Sequence, residues 1–242
     1  MSIAAFAAGI INSVAGGGSF LTFPALVFTG VPSIVANASS TLALFPASFA
    51  SAWAYREDFK KPSDFPLRPM MIVSLLGGIT GALLLLYTPQ RTFDAVIPWM
   101  MLGATLLFAF GPTISPLLQR LFHIGPVALV CIQAIVAIYG GYFGGAIGIM
   151  MLAAWSLFGL RDIHVMNANK ALLGGSMNGV AVILFVIARK IWWPQTLVML
   201  VAAVIGSYIG ARTAKRVNPK YVRYAVTAIS VGITVAFFYR RH

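Results

Sequence analysis

Four apolar runs constrain this chain more than any other feature. They cover residues 67–88 (around MMIVSLLGGITGALLLLY), 93–111, 125–143 and 220–238. Each is near the roughly 20 residues that an α-helix needs to cross a bilayer. Only 9% of the 242 residues are charged and 60% are hydrophobic, whereas soluble domains carry about 25% charged residues. Mean hydropathy is +0.89. So little polar material cannot cover a water-facing surface. A transmembrane barrel would alternate in strands of about ten residues, and this sequence does not. The expectation is an all-α, polytopic membrane protein. The opening residues, MSIAAFAAGIINSVAGGG, lack the basic stretch of a signal peptide and start a pattern that recurs later, so they are expected to belong to the fold.

The net charge of +12 fits loop lysines and arginines facing an anionic leaflet and the cytoplasm. No soluble basic domain is present to bind nucleic acid. The single cysteine, Cys131, lies in an apolar run, which excludes an intrachain disulfide and a cysteine-based metal site. It reads as a small lipid- or core-facing residue.

The chain is written twice. At an offset of about 130, GGGSFLTFPALVFTGVPSIVANAS (16–39) lies over AIGIMMLAAWSLFGLRDIHVMNAN (146–169), with Gly18 on Gly148 and Asn37 on Asn167. LLGGITGA (75–82) lies over VIGSYIGA (204–211), and TPQRTFDAVI (88–97) over NPKYVRYAVT (218–227), with Pro89 on Pro219. Weak self-similarity of this kind marks transporters built from repeats. The expected repeats are 1–118 and 119–242, each of about four hydrophobic helical segments, integrated into one membrane domain.

Each repeat opens with a glycine-broken apolar stretch. The first is broken at Gly16, Gly17 and Gly18. The second is loosened at Gly140, Gly141, Gly144, Gly145 and Gly148. Either each stretch is one kinked helix, or it is a hairpin of two short arms; close helix packing through small residues is a further role for the glycines. The arm 19–30 has 12 residues, about 18 Å of helix, too short to cross alone. Loop charges separate the topologies. Two full crossings would divide the loop Lys and Arg nine to seven. Two hairpins leave three crossings per half and an inverted repeat. One side then holds eleven (four between Arg56 and Arg68, Arg120, Arg161, and five between Arg212 and Arg223), against five at Arg91, Arg189, Lys190, Arg240 and Arg241. The positive-inside rule favours the hairpins and puts the eleven in the cytoplasm.

Lys170 stands out in the stretch NANKALLGG (167–175). On a helix with Asn167 at zero, Lys170 falls at about −60°, Gly174 at about −20°, Asn178 at about +20° and Ala171 at about +40°. In the first repeat, with Asn37 at zero, Ser40 falls at about −60°, Thr41 at about +40°, Ser48 at about +20° and Ser51 at about −40°. Lys170 thus occupies the place of Ser40. The two faces predict a polar site between the halves, holding Lys170, Asn167, Asn178, Asn37, Ser40 and Thr41. Amides and hydroxyls suit the oxygens of a small oxyanion, and lysine adds a point charge. Two bland roles compete: Lys170 snorkels to an interface, and Asn37 and the serines only join helices by hydrogen bonds.

Glu57, Asp58, Asp64, Asp94 and Asp162 all lie in or beside loops, so no carboxylate sits deep in a span to build a Na⁺ site or proton relay. His123, His164 and His242 lie at segment ends. No nucleophile–base pair, metal-ligand spacing or Walker loop is present, so neither an enzyme nor a cofactor is expected. The partners expected are a small anion and the bilayer, with a homo-oligomer left open.

AGIINSVAGGGSFLTFPAL…GVPSIVANASSTLALFPAS, echoed by YGGYFGGAIGIMMLAAWSLFGL…NANKALLGG, resembles the TauE/SafE, or sulfite exporter, family of permeases over essentially the whole chain. The second half departs from the family pattern: GGAIGIMM replaces a glycine-richer run, and Ala154 stands where Pro24 stands in the first half. The resemblance implies a multi-pass protein of the bacterial inner membrane that exports sulfite, sulfonates, thiosulfate or related organic anions. A membrane scaffold or an anion channel is the alternative.

Overall fold

In a computed structural model the described residues are 1–14, 16–60, 65–121, 124–160, 162–213 and 219–240. The charges expected at Lys61, Arg161, Lys215, Arg216 and Arg241, with Asp64, His123 and His242, lie outside them. Ten α-helices follow in order: α1 Ser2–Val14, α2 Ser19–Phe28, α3 Ser33–Ala54, α4 Leu67–Tyr87, α5 Gln90–Leu121, α6 Pro126–Tyr142, α7 Ile147–Phe158, α8 Ile163–Ile187, α9 Trp193–Thr213 and α10 Pro219–Arg240. A 3₁₀ turn, Asp58–Lys60, follows α3. The expected division at 118/119 falls in the last turn of α5. Among the described residues five helices are long and apolar enough to span a membrane: α3, α4, α8, α9 and the Gln90–Gly111 part of α5.

The broken stretches double back. The arms α1, α2, α6 and α7 have 13, 10, 17 and 12 residues, each too short for a hydrocarbon core of about 30 Å at 1.5 Å per residue. A Cβ on Gly18 would lie 2.7 Å from the carbonyl oxygen of Ala8, ten residues earlier. In a kinked but continuing helix those residues would be about 15 Å apart. At the second break Ile147 reaches back to Gly140 (3.2 Å from a Cβ placed there). With both pairs reversed, α3, α5, α7 and α9 finish at one end of the molecule. There the Tyr55 and His164 rings lie 6.5 Å apart, and the Ile124 amide donates to the Leu157 carbonyl at 3.4 Å. The opposite end carries the connections after α2, α4 and α8, where Phe28 meets Phe237 at 5.5 Å.

The halves interlock. α1 packs on α9, and α6 on α4; α3 and α8 cross at the centre, flanked by α9 and α4 respectively. Both outer contacts run on glycine. Gly206 lies against the Phe6 backbone and Gly9 against Ala203; Gly141 lies against Gly78, and Gly81 against Ile138. Lipid is as apolar as leucine, so burying leucine between helices gains little. Small residues that let backbones meet gain van der Waals contact instead. α4 follows this rule: Ser74, Gly77, Gly78, Gly81 and Ala82 are buried, while Ile72, Leu76 and Leu84 face outward. Trp53, Tyr87, Trp192, Trp193 and Tyr239 are exposed near helix ends, where aromatic residues meet the membrane interface. Cys131 is exposed on α6.

Candidate substrate site

The site is built where the two breaks meet α8. Asp162 caps this helix, its carboxylate accepting from the amides of His164 (2.8 Å) and Val165 (3.2 Å). Lys170 stands two turns further in and is 5% exposed. It does not snorkel. Its Nζ donates to Asn167 Oδ1 at 2.7 Å and to the carbonyl of Ser13 at 3.3 Å. Ser13 lies in the last turn of α1, where carbonyls lack helical partners and the helix dipole is negative. Among the described residues no carboxylate pairs with the ammonium. Two of its three N–H groups are occupied, and the residue borders a cavity.

That cavity has a volume of about 20 Å³, room for about one water. Lys170, Ala171, Gly174 and Asn178 of α8, Ser48 and Ser51 of α3, Asn12 of α1, Gly16, and Ile147, Gly148 and Met151 of α7 line it. Asn12 donates from Nδ2 to Ser48 Oγ at 3.2 Å. Asn178 Oδ1 and Ser51 Oγ are buried without a partner. The roof is a backbone contact: a Cβ on Gly16 would lie 2.6 Å from the Cα of Gly148. Gly16 has φ +78°, a left-handed conformation that side chains disfavour. At Gly148 a Cβ would also come within 3.0 Å of Lys170 Cδ, so that glycine gives the lysine stem its path.

The residues expected to share one site fall into two groups. Lys170 and Asn178 line the cavity, and Asn167 orients the ammonium. Asn37, Ser40 and Thr41 do not line it. Asn37 donates from Nδ2 to the Tyr142 carbonyl at 3.0 Å; Ser40 and Thr22 share a hydroxyl–hydroxyl bond of 2.6 Å; Thr41 bonds the carbonyl of Asn37 at 2.9 Å. Asn37 thereby holds the C-terminal end of α6 as Lys170 holds that of α1. Of the other glycines at the breaks, Gly17 packs on the Phe108 ring, Gly145 on the Phe143 ring, and the Gly144 carbonyl accepts from Ser19 Oγ at 3.5 Å. Ser48, Ser51 and Asn12 are the site residues that sequence reasoning left out. Ser48 and Ser51 were legible on the polar face of α3, and an antiparallel crossing of α3 with α8 brings them, not Asn37, opposite Lys170. Asn12 carried no such signal.

The arrangement is a cluster of donors (ammonium, amides, hydroxyls) at a break in the backbone, lacking an acid. Such a cluster suits an anion.

A family model described as Sulfite exporter TauE/SafE matches residues 1–237. The chain is 28% identical over 240 residues to the probable membrane transporter protein YfcA of Escherichia coli K12, covering 98% of this chain and 88% of the relative. It is 27% identical over 236 residues to the probable membrane transporter protein ORF9 of a Sinorhizobium species (96% and 89% covered). A probable membrane transporter protein of Haemophilus influenzae matches at 27% over 238 residues (97% and 91%). No solved structure matches significantly.

Proposed function

The chain belongs to the Sulfite exporter TauE/SafE family and is a multi-pass membrane transporter, and from that premise we propose that it exports a small oxyanion, sulfite or a sulfonate, across the bacterial inner membrane. The observation that carries this reading is Lys170: among the described residues its buried ammonium is held by a side-chain amide oxygen and a helix-end carbonyl, beside a cavity with an unpartnered hydroxyl at Ser51. Burying an ammonium is costly unless an anion or good acceptors compensate it. A carbonyl shared with a helix end is an acceptor that a sulfite oxygen can replace.

In this reading the anion takes Lys170 from Ser13, with the Asn178 Nδ2 and the Ser51 hydroxyl donating to it and Asn167 aiming the ammonium. Asn37, Ser40 and Thr41 hold the repeat-related break and take part as its frame. A four-heavy-atom anion does not fit a space for one water, so α1, α3 and α8 must part to admit it. That favours a carrier over an open channel. The two halves read as inverted repeats, with the connections after α3 and α9 in the cytoplasm. The cell interior is negative, and moving one negative charge outward through 100 mV yields about 2.3 kcal/mol, or roughly fifty-fold in concentration. Export then needs no coupling carboxylate.

The test is flux of labelled sulfite, sulfonate, thiosulfate and sulfate in proteoliposomes, with wild-type protein and Lys170→Gln. Wild-type flux should saturate and follow the imposed potential. Lys170→Gln should keep the fold and weaken anion affinity by about 1.5–3 kcal/mol, as for a charge-assisted hydrogen bond. Equal flux by the two proteins would sink the assignment of the site. A wild type that moves none of these anions would leave a scaffold role.

A further inference from the structure

The cavity does not account for all the buried polar atoms near it. Among the described residues nine buried side-chain polar atoms lack a hydrogen-bond partner, and five belong to this neighbourhood. Asn178 and Ser51 line the cavity itself. The other three are Tyr55 OH, Trp155 Nε1 and His164 Nδ1. Each continues the wall toward the end of the molecule that carries the α3–α4 connection. Tyr55 lies four residues beyond Ser51, and Trp155 four beyond Met151. His164 precedes Asn167 by three. Residues three or four apart share a helix face, one turn or about 5.4 Å along. The wall therefore extends by one turn from Ser51 on α3 and from Met151 on α7, and on α8 His164 lies one turn beyond Asn167, which holds the Lys170 ammonium.

The flanks are fixed by packing. Tyr55 clusters with Ala168 on one side of the polar face of α8, and its ring lies 6.5 Å from that of His164. Trp155 clusters with Met166 on the other side and is braced by Phe65 at 4.8 Å. Tyr55 is 1% exposed and Trp155 fully buried. A buried polar atom without a partner is costly, and such atoms are few in folded proteins. Three aligned with an anion site call for a shared reason. Their chemistry is also shared: indole N–H only donates, and phenol and imidazole donate as well. Burial first, and then the nearby Asp58 carboxylate, push the Tyr55 phenol up to about 12, so it keeps its proton and remains a donor.

We propose that Tyr55, Trp155 and His164 form a second, shallower subsite for the same small oxyanion, through which it passes between the Lys170 cavity and the α3–α4 end of the protein. The proposal rests on the anion-transport reading and adds a side to it. Asp58 beside Tyr55 keeps the subsite from becoming a trap: a carboxylate at the mouth disfavours a resident anion. The partnerless atoms are then satisfied only while an anion passes.

The test uses vesicles of known orientation, with labelled sulfite offered from one side or the other. Tyr55→Phe, Trp155→Phe and His164→Gln are compared with wild type. Each should raise KM about three- to tenfold for sulfite offered from the α3–α4 side, the loss of one hydrogen bond. From the opposite side KM should change less than twofold. Tyr55→Phe should melt no lower than wild type, because the hydroxyl it removes has no partner. That separates a transport role from a folding one. Unchanged KM on both sides in a protein that transports and responds to Lys170→Gln overturns the subsite alone. An equal rise on both sides overturns it too. A wild type that moves no oxyanion overturns the subsite and the transport reading together.

Discussion

Asn37 and Lys170 do the same mechanical task in opposite halves. Each projects from the helix that follows a broken pair, and each donates to a carbonyl at the end of the other half's broken helix: Tyr142 for Asn37, Ser13 for Lys170. The difference lies in what is left over. The Asn37 amide is neutral and lies away from the cavity, and its neighbours Ser40 and Thr41 are occupied by Thr22 and by the helix's own backbone. Lys170 is ionisable and has a third N–H beside a cavity. One arrangement is used twice, once as a neutral strut and once as a strut with a donor to spare. In the proposed reading that spare donor is what the anion takes.

The comparison breaks most severely at the tips. Gly16 combines a positive φ with backbone contact to Gly148, while Gly144, also at φ +78°, has only a carbonyl at 3.5 Å and a hydroxyl at 3.7 Å near its missing Cβ. Gly16→Val should cost about 3 kcal/mol or more, left-handed strain plus a clash with main chain, and yield little monodisperse protein on size exclusion. Gly144→Ala should cost only the strain, about 1–2 kcal/mol, and remain purifiable. Equal behaviour of the two would show the tips to be interchangeable.

Next is the charge. Exchanging it between halves, Ser40→Lys with Lys170→Ser, should leave sulfite affinity as low as in Lys170→Gln, down by about 1.5–3 kcal/mol. Ser40 faces the Thr22 hydroxyl and not the cavity. Recovery of affinity in the exchanged protein would mean that the halves offer equivalent sites. Asn37→Ala sharpens the same point from the other side. It orphans the Tyr142 carbonyl and should lower stability by about 1–2 kcal/mol in thermal melts, while KM for sulfite stays within about twofold. The smallest effect belongs to Asn178→Ala. Its Oδ1 has no partner, so stability should move by no more than about 0.5 kcal/mol, while sulfite affinity falls about threefold.

The sequence made the long helices and the position of the breaks legible, because hydropathy and glycine act locally. It also made the polar faces of α3 and α8 legible, since a wheel gives the direction of each side chain around its own axis. A wheel does not say which neighbour that direction meets. Asn37, Ser40 and Thr41 share an angle with Lys170's face, yet α3 and α8 run in opposite directions, and Ser48 comes against Gly175 (3.3 Å from a Cβ placed there). The serines late in α3 therefore meet the lysine early in α8. The Ser13 carbonyl was beyond reach for another reason. It is main chain, and any residue at the end of α1 would present it.

The packing of α1 on α9 sets an order of events during synthesis. Gly9 rests on Ala203, 194 residues later in the chain. At about 5–20 residues per second, the ribosome delivers that partner about 10–40 s after the first arm emerges. Throughout that interval the first arm lacks its α9 partner, and for most of it the Ser13 carbonyl waits for Lys170 to be made. The first arm is thus among the last segments to settle, and a truncated chain that stops before α9 carries an undocked first arm open to proteolysis.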